Sequence, residues 1–144
     1  MTDPGVVEVG IYIAAPPEAV FPYFTEADRY IQWMGEDATL DPVPGGAYRV
    51  RMGNGVEAAG EFVEVDPPHR VVFTWGWASG SPVLPGTTRV VVTLVAEGHG
   101  TRVVLRHHGL PAGQFDHHME GWRLCLDRLV AVTTRGDPGA DATT

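Results

Sequence analysis

Apolar and polar positions alternate along most of the chain. From Val6 to Ile13 the sequence VVEVGIYI sets Val7, Val9, Ile11 and Ile13 on one side and Glu8, Gly10 and Tyr12 on the other, the period-two signature of a strand buried on one face. AAPPEAVFPYFTEADRYIQWM then opens on prolines suited to a helix start, carries Ala19, Val20, Tyr23 and Phe24 at helical spacing, and is interrupted at Pro22. That pattern predicts two short helices. After the turn-rich LDPVPGG come AYRVRM, VEAAGEFVEV, RVVFTWGW, TRVVVTLVA and TRVVLRHH, separated by NG, DPP, SGSPVLPG and EGHG. Such separators are turn and hairpin signals, so these strands and the first make a six-stranded antiparallel meander.

From Gln114 to about Thr133 the period changes. Phe115, His118, Met119, Trp122, Cys125, Leu126 and Leu129 share one stripe of a helix of about five to six turns. The order strand, two short helices, five strands, long helix is an α+β arrangement. An amphipathic helix following a sheet with one apolar face crosses that face, where both can bury. If the sheet curves around the helix, the gap between them becomes a cavity.

Composition narrows the function. The chain has 144 residues, 44% of them hydrophobic, enough for one domain with a real core; we assign it residues 1–134, with RGDPGADATT at 135–144 as a flexible tail. A formal net charge of −8, with all ten basic residues scattered arginines, argues against nucleic acid, whose phosphates reward dense positive charge. The start MTDPGVVEVG has neither the basic nor the apolar region of a signal peptide, and apolar runs such as Val90 to Ala96 are too short to span a bilayer. The expected location is cytoplasmic. Cys125 is the single cysteine, so no intramolecular disulfide forms, and we read it as a buried, inert thiol. The tripeptide at Arg135 to Asp137 mimics an adhesion motif but carries no weight in an acidic tail. Edge strands permit a homodimer.

The runs PGGAYRVRMGNG, GEFVEVDPPHRVVFTWGW, TRVVVTLVAEGHGTRVVLRHHGLP and EGWRLCLDRL, in that order and spacing, resemble the small proteins similar to the activator of heat-shock-protein-90 ATPase. These are a branch of the START-like SRPBCC superfamily, and the resemblance runs from about Val6 to Val132. It implies the helix-grip fold of START and Bet v 1-like proteins, a curved antiparallel sheet around a long C-terminal helix. For function it implies a choice among hydrophobic-ligand carriers, polyketide cyclases and co-chaperones, because a fold does not settle a function.

Four of six histidines fall between His107 and His118. Alternation along TRVVLRHH turns Val103, Leu105 and His107 inward and Arg102, Arg106 and His108 outward. On the helix His118 joins the apolar stripe beside Trp122, while His117 turns to solvent. Two inward imidazoles fall short of the three or four ligands of a zinc site unless Glu36, Asp37 or Glu64 joins them, so no metal or other cofactor is expected. His107 and His118 remain as satisfied core residues, as ligand-facing hydrogen-bonding groups, or as acid/base candidates with Glu64 as an aid.

In RVVFTWGW the inward positions are Val71, Phe73, Trp75 and Trp77; Tyr48, Val50 and Met52 form a second inward set, and Phe24, Trp33, Phe115 and Trp122 close the ends. Either these residues fill a core or some wall a pocket, since small-molecule sites are mostly apolar with a few placed polar groups. The expected ligand-binding set is Phe24, Trp33, Tyr48, Val50, Phe73, Trp75, Trp77, His107, Phe115, His118 and Trp122. The expected function is non-enzymatic binding of a hydrophobic, aromatic small molecule between sheet and helix. A cyclase-like enzyme using His107 or His118 is the alternative, and a co-chaperone-like interaction the second alternative.

Overall fold

A computed structural model describes residues 6–80 and 83–135. The alternating segments become seven antiparallel strands, β1 (Val6–Ile13), β2 (Asp37–Leu40), β3 (Ala47–Arg51), β4 (Glu57–Asp66), β5 (Arg70–Trp77), β6 (Thr88–Glu97) and β7 (Gly100–His108). They form one sheet in the order β1-β7-β6-β5-β4-β3-β2. Every step from β2 to β7 joins sequence neighbours, as short turns dictate, and β1 closes the far edge by pairing Val7 with His107 and Val9 with Leu105.

The sheet has one strand more than the alternation predicted. β2 is a four-residue edge, Asp37 to Leu40, that pairs along one side with β3; DATL is too short and too polar to stand out by period alone. The helical segment also differs, giving three helices instead of two: α1 (Pro17–Val20), α2 (Pro22–Thr25) and α3 (Ala27–Tyr30). Pro22 lacks the N–H that would continue α1, so it starts α2. Glu26 then drops into an extended conformation, φ −104° and ψ 124°, and α3 begins after it.

The long helix α4 (Phe115–Arg135) follows a short 3-10 turn at Ala112–Gln114. Trp122, Leu126 and Leu129 are buried along its predicted stripe and join one core with the inward residues of the sheet. This is the helix-grip arrangement. The bend of the sheet has a local cause in β4, where the register slips between Phe62 and Glu64. The extra residue, Val63, sits unpaired and a bulge of this kind sharpens twist and curvature. The tail predicted from Arg135 lies, from residue 136 on, outside the described residues.

One glycine bears on the site. A Cβ at Gly76 would meet the Leu84 carbonyl carbon and oxygen at 2.3 Å, so only glycine lets that loop lie against the end of β5. The loop extends the pairing beyond the strand, with Trp77 N–H donating to the Val83 carbonyl at 2.7 Å, and so holds Trp77 at the rim of the sheet.

Candidate functional site

Between the end of β5 and the first half of α4 lies an apolar cleft of about 190 Å³, open to solvent. It is lined by Met34, Met52, Trp75, Trp77, His117, His118, Gly121, Trp122 and Cys125. Trp75 and Trp77 come from one face of β5, Met52 from just past β3 and Met34 from just past α3. The helical repeat supplies His118, Trp122 and Cys125 at i, i+4 and i+7, which one face of a helix presents together.

Trp75 stands edge-on to Trp77, with ring centroids 4.6 Å apart, and edge-on to His118 at 5.1 Å. His107 lies behind it, its centroid 5.2 Å from that of Trp75 and 5.5 Å from that of His118. His107 is fully buried and both of its nitrogens are committed. Trp122 Nε1–H donates to His107 Nδ1 at 3.0 Å. An indole N–H only donates, so Nδ1 is the acceptor and the imidazole proton sits on Nε2. Nε2–H then donates to Thr88 Oγ1 at 2.8 Å, and the Thr88 hydroxyl donates to the Trp75 carbonyl. This relay ties α4 to β7, β6 and β5 and forms the floor beneath the cleft.

Burial, with the neighbouring His118 and then His108 adding to it, pushes the His107 pKa down to about 3. Burial and then His117 push His118 down to about 4. Both imidazoles are neutral at pH 7. Burial raises the Cys125 thiol as well, which keeps it protonated and a weak nucleophile. Deeper in the interior, Tyr30 donates to Met34 Sδ at 3.3 Å and is hydrogen-bonded to Tyr48; since the Tyr30 proton is engaged with sulfur, Tyr48 is the donor of that pair. Burial raises both phenols.

The predicted residues divide into two groups. Trp75, Trp77, His118 and Trp122 line the cleft. Phe24, Trp33, Tyr48, Val50, Phe73 and His107 point inward as alternation requires but are buried in the core and do not line it. Phe24, Tyr30 and Trp33 pack ring against ring, with centroids 5.3 and 4.7 Å apart, and Tyr48 stacks on Phe73 at 4.1 Å. Phe115 packs against the core at half-burial, away from the lining.

His117 is exposed, as helical phase requires, yet it sits on the cleft rim, its ring 5.6 Å from that of His118. Met34 and Gly121 were not anticipated. Met34 lies four residues after Tyr30, whose hydroxyl it accepts, and that spacing was its only trace in the sequence. The carboxylates considered as partners of the histidines lie elsewhere. Glu64 pairs with Arg70 at 3.2 Å, Asp37 with Arg51 at 3.7 Å, and Glu36 is exposed. Among the described residues no three His, Cys, Asp or Glu side chains are grouped to hold a metal ion, and no helix is long and apolar enough to cross a membrane.

Against this geometry the comparisons with known proteins fall into place. A family model described as Activator of Hsp90 ATPase homolog 1-like protein matches residues 14–134. No curated protein matches the sequence significantly. Among solved structures, DynU16, a putative protein in the dynemicin biosynthetic locus, superposes with a TM-score of 0.81 at 25% identity over 93% of this chain; this chain spans 49% of that one, about half its length. An HSP90 activator from Plasmodium falciparum gives 0.73 at 24% identity, covering 86% of this chain and 92% of that one. The Aha1 dimer from Colwellia psychrerythraea gives 0.79 at 19% identity, covering 92% and 98%. The last two likenesses are of fold alone.

Proposed function

Since this chain belongs to the Activator of Hsp90 ATPase homolog 1-like family, whose fold commonly serves hydrophobic ligands, we propose that it is a non-enzymatic binder of a hydrophobic, aromatic small molecule. The observation that carries this reading is the cleft of about 190 Å³ walled by Trp75, Trp77, Trp122, Met34 and Met52. An apolar cavity of about 150 Å³ accommodates benzene, so this one suits a molecule of one or two rings. Burial of apolar surface, at about 25 cal/mol per Å², supplies the affinity. Trp75, Trp77, His118 and Trp122 touch the ligand; Phe24, Trp33, Tyr48, Val50, Phe73 and His107 are the packed layer that holds them, and Phe115 closes the start of α4.

Binding is favoured over catalysis by the state of the histidines. His107 has donated and accepted all that a neutral imidazole can. His118 remains as the acid/base candidate of a cyclase-like reading, but no carboxylate is among the residues that line its cleft. The reading takes residues 1–134 as a single domain acting in the cytoplasm on a small molecule rather than on nucleic acid, with a homodimer through an edge strand compatible with it. A co-chaperone-like role would depend on the outer surface of the protein rather than on this cleft.

The test is a panel of small hydrophobic aromatics followed by chemical-shift titration, with native protein beside Trp77→Ala. Hits whose affinity falls tenfold or more in the variant support the cleft. Equal affinities in the two proteins reject it.

A further inference from the structure

The long helix α4 contains a single glycine, Gly121, two turns into its 21 residues. Glycine in a helix interior costs stability relative to alanine, because it loses more conformational freedom on folding than any other residue. Elsewhere in the fold a close approach explains the choice: a Cβ at Gly76 would meet the Leu84 carbonyl, and one at Gly60 the Thr74 carbonyl oxygen. No such reason exists at Gly121. Its φ is not positive, and a Cβ there would find no atom within 4 Å beyond its own helical backbone and adjoining residues. Even the side chains of His117 and Cys125, one turn before and after it on the same side of the helix, stand farther away. What Gly121 borders is the cleft.

We infer, building on the proposed binding role, that Gly121 is the residue that sets ligand size: its bare stretch of helix admits a flat aromatic of two fused rings, the second ring lying across the mouth. The lining grades from closed to open. Trp75, Trp122 and His118 are 2, 4 and 6% exposed, Trp77 and Cys125 are half-buried, and His117 and Gly121 are exposed. The first three form the inner end and the last two stand at the mouth. An apolar cavity of about 150 Å³ takes up benzene, so a cleft of about 190 Å³ encloses one ring and the near edge of a second. The remainder of that second ring leaves by the open side, where Gly121 presents backbone in place of a side chain. A methyl group at this position takes space that a flat ring needs for contact with the helix, and an isobutyl group closes the passage. The stability given up by glycine in the helix is thus matched by room for the ligand.

The experiment sets native protein beside Gly121→Ala and Gly121→Leu, with thermal unfolding of each and chemical-shift titrations with toluene and naphthalene. Native protein is expected to bind naphthalene more tightly than toluene. Gly121→Ala should raise the melting temperature by about 2–4 °C while the ratio of naphthalene to toluene affinity falls roughly tenfold, and Gly121→Leu should lower that ratio further. A more stable fold with a poorer fit for the larger ring is the signature of a glycine kept for the ligand. A melting temperature that falls in Gly121→Ala overturns the premise that the space there is open. An unchanged ratio in both variants overturns the size-setting role and leaves the cleft standing, as does a native protein that prefers toluene. Binding of neither hydrocarbon by native protein rejects the cleft reading itself, and this inference with it.

Discussion

The inner face of the sheet has two ends, built of similar residues to different effect. At one end Phe24, Tyr30, Trp33, Tyr48, Phe62 and Phe73 pack ring against ring, each 0 or 1% exposed, and each polar atom among them has a partner. At the other end Trp75, Trp77, Trp122 and His118 surround a cleft, Trp77 is half-buried, and the buried His118 Nε2 has no hydrogen-bond partner. Phe73 and Trp75 are two residues apart on the same face of β5, about 7 Å along a strand. Aromatic content alone therefore does not distinguish a core from a site. What does is whether the opposing element brings another ring to fill the space. Tyr48 of β3 does so over Phe73, stacked at 4.1 Å, whereas α4 sets Trp122 6.5 Å from Trp75 and leaves the space beside Gly121 and Cys125 open.

The comparison breaks first at its packed end. Phe73→Ala removes a ring that stacks on Tyr48 and meets Phe62 at 6.0 Å, and we expect it to cost about 3–5 kcal/mol in denaturant unfolding. A loss below about 1 kcal/mol would show that end to be as loosely filled as the cleft.

The second prediction concerns acid. The folded pKa values of His107 and His118 lie near 3 and 4, below the unfolded value of about 6.5. The unfolded chain thus binds more protons between these limits, so the stability that rests on the two neutral rings is complete above pH 6.5 and is lost as pH falls toward 4 and then 3. Between pH 6.5 and 5.5 the pair contributes a loss of about 2 kcal/mol. In His118→Phe the histidine part of that slope is halved; an unchanged slope would mean that His118 ionises freely in the native protein.

How much of this the chain discloses in advance follows from what periodicity measures. Alternation along β7 separates His107 from His108, and the 100° step of a helix separates His118 from His117, because in each case the question is direction. Direction is also why Phe24, Trp33, Tyr48, Val50 and Phe73 were grouped with Trp75 and Trp77. All point inward, but whether the space in front of them is filled depends on side chains from distant segments. Met34 was invisible for the same reason, standing after three four-residue helices with no sustained period. β2 escaped because a four-residue edge strand draws its identity from its partner, β3. The Trp122–His107–Thr88 relay needed the register of β6 against β7, which sets Val90 beside His107 and Thr88 two residues away on the same face.

That relay braces the cleft end from behind, and Thr88→Val tests it at nearly constant volume. The variant removes the acceptor of His107 Nε2–H while Trp122 still occupies Nδ1, so a buried donor is orphaned at an expected cost of about 1–3 kcal/mol. A neutral outcome by chemical denaturation would mean that the tautomer is free to change and the floor of the cleft is not fixed by it.

The smallest expected effect is the one that separates lining from filling. Trp77 stands at the rim, held by the Val83 carbonyl through its backbone and half-covered by protein. Its ring meets Trp75 on one side and the open cleft on the other, and Trp77→Ala should cost about 1 kcal/mol, several times less than the same truncation at Phe73. The indole forms one wall of the cleft, so the loss appears in ligand affinity far more than in unfolding free energy. A stability cost of about 3–5 kcal/mol instead, measured by the same denaturant titration, would make Trp77 a core residue and both ends of the sheet alike.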